Sequence, residues 1–137
     1  MTTQQLTTSI ETIQSAIQQY FAAIRGSNKV DNIVACFAED CISQDPVDAP
    51  ALNGTAEVRQ FFQTIVGLFA TVELTEEFIS IHGQEAAVKW SGFGIGKNGR
   101  EVTFEGIDIF EFDANGKIQS VKGYWNPTAM LAKLGVS

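Results

Sequence analysis

The chain is short of positive charge, of histidine and of cysteine, and it has no long apolar run. Nine lysines and arginines face 16 aspartates and glutamates, a formal charge of -7 over 137 residues. Nucleic-acid binding rests on neutralising phosphates with cations, so this balance argues against a nucleic-acid partner. It argues equally against docking on an anionic membrane surface. His82 is the one histidine, and Cys36 and Cys41 are the only cysteines. They do not form a C-x-x-C pair, and a single histidine is too little for a Cys/His zinc site, so no metal is expected. Two free thiols fit a reducing compartment. No apolar stretch approaches the roughly 20 residues that span a bilayer. The residues from Met1 to Ile10 lack the basic start and apolar core of a signal peptide. A cytoplasmic protein without a membrane partner is expected.

What is present describes one globular unit. Hydrophobic residues make up 45% and charged residues 18% of the chain, an ordinary balance for a protein with a real core. Ten phenylalanines against two tyrosines and two tryptophans point to an interior or pocket lined by plain aromatic rings. No repeat, linker or low-complexity tract divides the chain, so 1–137 reads as a single domain.

The first half is helical in period. Ile10, Ile13, Ile17, Tyr20, Phe21 and Ile24 make one face of a helix over about 8–25, with Thr8 and Glu11 at capping-box spacing and Gly26 as terminator. A shorter helix begins at Ser27, carries Val30, Ile33, Val34 and Phe37 on one side, and ends at Glu39 and Asp40. A short strand from Cys41 to Val47 and a loop from Asp48 to Asn53 follow. A third helix, capped by Thr55, runs to about Phe69 with Val58, Phe61, Phe62, Ile65, Leu68 and Phe69 on its apolar face. From about Thr71 the period becomes that of strands: Val72 to His82, Ala86 to Ile95, Glu101 to Phe112 and Lys117 to Trp125. Lys97-Asn98-Gly99-Arg100 and Asp113-Ala114-Asn115-Gly116 read as hairpin turns. Pro127 opens a last helix, Thr128 to Leu134, stopped by Gly135. Helices followed by a meander predict an α+β fold in which a curved antiparallel sheet wraps around helices as a cone.

The strand from Glu101 to Phe112 carries the most information. One face holds Val102, Phe104, Gly106, Asp108, Phe110 and Phe112; the other holds three glutamates with Thr103, Ile107 and Ile109. Asp108 is the single acid on the apolar face. Ionised, it is costly to bury, whereas the neutral acid is a hydrogen-bond donor inside an apolar cavity. Its ordinary alternatives are a frayed strand end, a paired cation or a turn cap. Tyr20 points inward and needs a partner for its hydroxyl, unless that hydroxyl reaches the surface. Asp45 precedes Pro46, which extends its backbone; a turn aspartate is its ordinary reading. His82, alone at a strand end, reads as a surface residue.

These residues resemble a known family. The order of elements is similar to the nuclear-transport-factor-two-like α+β cone, and the motifs resemble bacterial ketosteroid isomerase over nearly the whole chain after its first ten residues. Four stretches carry the likeness: Ile17-Gln18-Gln19-Tyr20; Ala38-Glu39-Asp40 with Gln44-Asp45-Pro46-Val47; Gly106 to Phe112; and Gly116 to Val121 leading to Tyr124-Trp125. The resemblance implies that Asp45 shuttles a proton while Tyr20 and a protonated Asp108 form an oxyanion hole, the pKa tuning for which that family is known. It also implies a homodimer formed through the outer sheet face, where Ile107 and Ile109 add apolar area. Some family members extend the oxyanion hole with further tyrosines, at places that hold Phe37 and Phe62 here.

The chemistry suits the residue types. Moving a double bond into conjugation with a ketone requires a base near the alpha carbon, for which Asp45 is fitted, and donors at the developing enolate oxygen. Neither cofactor nor metal is needed. Phe61, Phe62, Phe110, Phe112 and Trp125 are the expected walls for a small hydrophobic substrate, a steroid or another cyclic enone. The alternatives are a polyketide cyclase or an epoxide hydrolase on the same cone, or a non-catalytic binder of small hydrophobic ligands. A hydrolase with an Asp-Arg-Asp site is disfavoured, because Arg59 falls on a helix's polar side and Arg100 in a turn.

Overall fold

A helical layer lies in the hollow of a six-stranded sheet. The computed structural model describes residues 9–136. In chain order the elements are α1 (Ile10–Arg25), α2 (Lys29–Val34), β1 (Phe37–Gln44), β2 (Leu52–Asn53), α3 (Gly54–Val66), β3 (Phe69–His82), β4 (Glu85–Gly96), β5 (Glu101–Phe112), β6 (Ile118–Tyr124) and α4 (Pro127–Leu134). The sheet order is β2-β1-β6-β5-β4-β3. This is the expected α+β cone with one change: the sheet is mixed. β3 to β6 form the antiparallel meander, but β1 joins β6 in parallel.

The helices follow their apolar periods. In α1, Ile13, Ile17, Tyr20, Phe21 and Ile24 are buried, while Ile10 is exposed on the first turn. Ser9 is the cap, its hydroxyl accepting from the Thr12 amide at 3.1 Å; the expected Thr8 cap lies outside the described residues. α2 begins two residues later than predicted, because Asn28 adopts a left-handed conformation with φ 53°. α3 starts at Gly54 rather than at a Thr55 cap, with Glu57 accepting from the Asn53 amide at 2.7 Å. It stops at Val66, and Phe69 already belongs to β3.

Two other boundaries moved. Glu39 and Asp40 do not end a helix; they lie with Phe37 in β1. An irregularity between Phe37 and Ile42 breaks the two-residue alternation, which hid this strand from its pattern.

The core sits between α1 and the inner sheet face. Its centre is aromatic: Tyr20, Phe21, Phe37, Phe62, Phe110 and Phe112 are all buried. A second cluster, Phe69, Val72 and Val102 with Met130 and Leu134 of α4, closes one end of the sheet. Glycines let rings approach the sheet: a Cβ at Gly92 would come within 2.6 Å of the Phe104 ring. Phe21 is 0% exposed and makes edge contacts with Tyr20 and Phe110 at centroid distances of 5.2 and 6.5 Å. Phe21→Ala is expected to lower stability by about 3–5 kcal/mol, read as a fall in the urea unfolding free energy.

Candidate active site

The site is built from three neighbouring strands. Asp108 sits mid-β5, directly opposite Gly123 of β6 and Val88 of β4. Gln44, the last residue of β1, is opposite Lys122 in the parallel pair, so Asp45 follows at the level of Gly123. The Val47 amide donates to the Gly123 carbonyl at 2.8 Å and ties the Asp45 loop to β6. Gly123 therefore stands between the two acids. A Cβ there would collide with Asp45 Oδ1 and lie 3.3 Å from Asp108 Oδ1. Only the missing side chain lets both carboxyls turn to the same spot.

Aromatic groups surround this pair. Trp125 donates its indole N–H to Asp45 Oδ1 at 2.5 Å. Trp90, on β4 opposite Gly106, lays its ring over that glycine; a Cβ at Gly106 would come within 2.5 Å of it. Tyr20 reaches in from α1, its ring held edge-on by Phe110 at 5.4 Å and Phe37 at 6.0 Å. Tyr20, Asp45, Asp108, Trp90 and Trp125 line one partly open cavity, whose other walls are aliphatic and aromatic side chains including Phe61 and Phe62.

Of the expected site residues, Tyr20, Asp45, Asp108, Phe61, Phe62 and Trp125 come together around this cavity. Phe110 and Phe112 do not reach it. They are 1% and 2% exposed and pack deeper, Phe110 against the Tyr20 ring. Alternation put them on the correct face, but α1 covers that end of β5, so they support the tyrosine instead of forming a wall. Phe37 and Phe62 do border Tyr20, at centroid distances of 6.0 and 6.4 Å, so its surroundings there are apolar rings without hydroxyls. Trp90 and Gly123 were not singled out from the sequence. A glycine inside a strand, at Gly123, is the signal of close approach that could have pointed to the second.

Burial sets the electrostatics. Desolvation pushes the Asp45 carboxyl up to about 6, partly offset by the Trp125 hydrogen bond. Asp108 is 4% exposed, and burial pushes it well above the usual carboxylate range. The neighbouring Asp45 charge adds to that rise, and the nearby Trp90 N–H opposes it without being aligned as a hydrogen bond. The Tyr20 hydroxyl is likewise held well above its ordinary value, first by burial and then by the two carboxylates. Burial thus holds both acids toward their neutral forms, and the Asp45 charge adds to the rise at Asp108.

The remaining charged groups lie elsewhere. Arg59 pairs with Asp31 at 2.6 Å, and Arg25 with Glu76 at 2.6 Å. Among the described residues no arginine lines the cavity. His82 is exposed at the end of β3. Among the described residues no helix is long and apolar enough to cross a membrane.

Fold and cavity define a cone-shaped α+β domain with an acid pair enclosed in its hollow. Residues 17–121 match the SnoaL-like domain family, and the chain belongs to it. Its relatives include enzymes. Steroid Delta-isomerase of Nocardioides simplex is 26% identical over 121 residues, covering 87% of this chain and 94% of that protein. The epoxide hydrolase/cyclase-like enzyme SalBIII, described for its role in pyran ring formation in the polyether salinomycin, superposes with a TM-score of 0.76 at 25% identity, over 86% of this chain and 93% of its own. An NTF2-like protein of unknown function from Burkholderia pseudomallei K96243 reaches a TM-score of 0.76 at 16% identity, over 90% of this chain and 97% of its own, and shares the fold.

The raised carboxyl of Asp45 has a consequence for stability. An acid whose folded pKa lies above its unfolded value binds its proton more tightly when folded. Its contribution is full below about pH 4 and is lost as pH rises through about 6. Measured by urea unfolding, the stability of the parent relative to Asp45→Asn is expected to fall across that window. A pH-independent difference would contradict the burial argument.

Proposed function

We propose that the chain is a cofactor-independent isomerase of the steroid Delta-isomerase type, which moves a double bond into conjugation with a ketone. The observation that carries this reading is the acid pair: two enclosed carboxyls of unequal basicity share one apolar cavity with a buried tyrosine. The likeness to a steroid isomerase over most of both chains supports it.

In this mechanism Asp45 is the base. Trp125 holds Oδ1, leaving Oδ2 for the substrate. The carboxylate removes a proton from the carbon alpha to the carbonyl. The C–H electron pair becomes a carbon–carbon double bond, and the carbonyl π pair moves onto oxygen, giving a dienolate. Tyr20 and neutral Asp108 donate hydrogen bonds to that oxygen, where the new charge resides. Protonated Asp45 then returns the proton to the gamma carbon, and the carbonyl re-forms. A pKa near 6 suits a base that must both take and give back a proton at neutral pH.

The cavity constrains the substrate. Its volume is about 60 Å³, room for about two waters, whereas sites for drug-sized ligands run to about 300–1,000 Å³. Binding a fused-ring ketone therefore requires the half-buried Phe61 and Trp125 side chains to move apart. A compact cyclic enone needs less rearrangement. A second reading, a cyclase, is supported by the likeness to SalBIII. Ring closure by a hydroxyl also uses one base and one acid, roles that Asp45 and Asp108 fill equally well.

We also propose that the chain forms a homodimer through the outer sheet face. Ile107 and Tyr124 are cross-strand partners there, 42% and 49% exposed, and Phe93 is 37% exposed nearby. Ile109 contributes less, being half-buried. Light scattering at micromolar concentration should give twice the monomer mass; a monomer would remove this claim.

Activity is tested on an unconjugated steroid ketone and on a monocyclic analogue, following the absorbance of the conjugated enone. Asp45→Asn should lower turnover by at least about 10²–10⁴-fold while still binding a phenol. Asp108→Leu should cost about 10²–10³-fold, and Asp108→Asn, which keeps a donor, should retain part of the activity. An Asp45→Asn variant as fast as the parent would overturn the assignment.

A further inference from the structure

The cavity holds a hydrogen-bond donor that the mechanism above does not use. Trp90 is 3% exposed, lines the cavity, and has the one buried side-chain polar atom without a hydrogen-bond partner among the described residues, its indole Nε1. A buried, unpaired N–H is costly, and a phenylalanine or leucine would pack over Gly106 without that cost. The cavity's other indole differs, since Trp125 donates to Asp45. Trp90 stands opposite Gly106, two residues before Asp108 on the same face of β5, so an aromatic ring there reaches the carboxyl diagonally. Its N–H lies close enough to the Asp108 carboxyl to oppose the rise in that acid's pKa, yet it is not aligned as a hydrogen bond, and burial leaves it no bulk water to bond.

The inventory of groups is lopsided. Tyr20, neutral Asp108 and Trp90 all offer hydrogens, while Asp45 is the acceptor and is already engaged by Trp125. A ligand that fits this wall must bring an acceptor of high capacity. An enolate or phenolate oxygen accepts up to three hydrogen bonds; a hydrocarbon accepts none. We propose that the indole N–H of Trp90 is a third donor to the ligand oxygen, beside Tyr20 and Asp108, and that this cavity selects ligands carrying a charged or strongly polarised oxygen. The proposal rests on the reading of the cavity as an oxyanion site and adds a residue to it.

Nuclear magnetic resonance tests this on the parent protein. Trp90 and Trp125 are the only tryptophans, so proton–nitrogen spectra carry two indole signals, assigned by their loss in Trp90→Phe and Trp125→Phe. Titration with para-nitrophenol is expected to move the Trp90 signal downfield as the N–H takes up a hydrogen bond. Trp90→Phe should weaken para-nitrophenol binding on the order of 10-fold and affect binding of para-nitrotoluene, which lacks the phenol oxygen, far less. Equal weakening for both probes would make Trp90 a packing residue and overturn the proposal. So would a Trp90 signal that ignores the phenol, a signal that responds only to Asp108→Leu, or a parent that does not bind the phenol. Enone turnover without any Trp90 response would overturn this inference and leave the isomerase reading standing. A Trp90 response without turnover would do the reverse.

Discussion

Two carboxyl groups enclosed side by side in an aromatic hollow form the constraint on which the rest of the site depends. Neither can ionise freely. Burial raises both, and the first to lose its proton holds the other back by its charge. The asymmetry between them comes from their surroundings. Asp45 belongs to a half-buried residue and accepts a hydrogen bond from Trp125, which favours its charged form. Asp108 lies mid-strand with almost no exposure, and the Trp90 N–H beside it is not aligned to stabilise a charge fully. One residue type is therefore held in two different electrostatic settings.

That arrangement needs space as much as charge. Gly123 supplies it between the acids, and Gly106 supplies it beneath the Trp90 ring. A side chain at Gly123 would displace the Asp45 carboxyl, and one at Gly106 would displace the Trp90 ring. The aromatic core acts in the same way at one remove. Phe110 and Phe37 hold the Tyr20 ring at its edges, so that a long side chain on a helix is fixed relative to an acid on a strand. Preorganisation of this kind is what makes donors effective at a developing charge.

The small volume of the cavity limits what the same groups can act upon without movement. Its aromatic walls come partly from α3 and partly from Trp125 just beyond the end of β6, elements that meet only across the hollow. The proteins this chain resembles are as different as a Steroid Delta-isomerase and an epoxide hydrolase/cyclase-like enzyme with a role in pyran ring formation. One fold thus carries different chemistries, and the fold alone does not choose between them.

Local pattern carried much of this in advance. Alternation along β5 placed Asp108 alone among apolar neighbours, and the helical period of α1 turned Tyr20 inward, because side-chain direction within one element is set by the backbone repeat. The Asp-Pro stretch marked Asp45, and the resemblance joined it to the other two. What no local repeat encodes is which residues meet across elements. Asp45 and Trp125, 80 residues apart, are brought together by the parallel pairing of β1 with β6, in a strand whose own alternation is broken. The depth of Phe110 and Phe112, the clearance at Gly123 and the orphaned N–H of Trp90 follow from the same packing. The sequence by itself determined the faces of the elements, because those depend on backbone geometry alone. The tertiary structure decided which groups share the cavity, because that depends on how strands distant in the chain are registered.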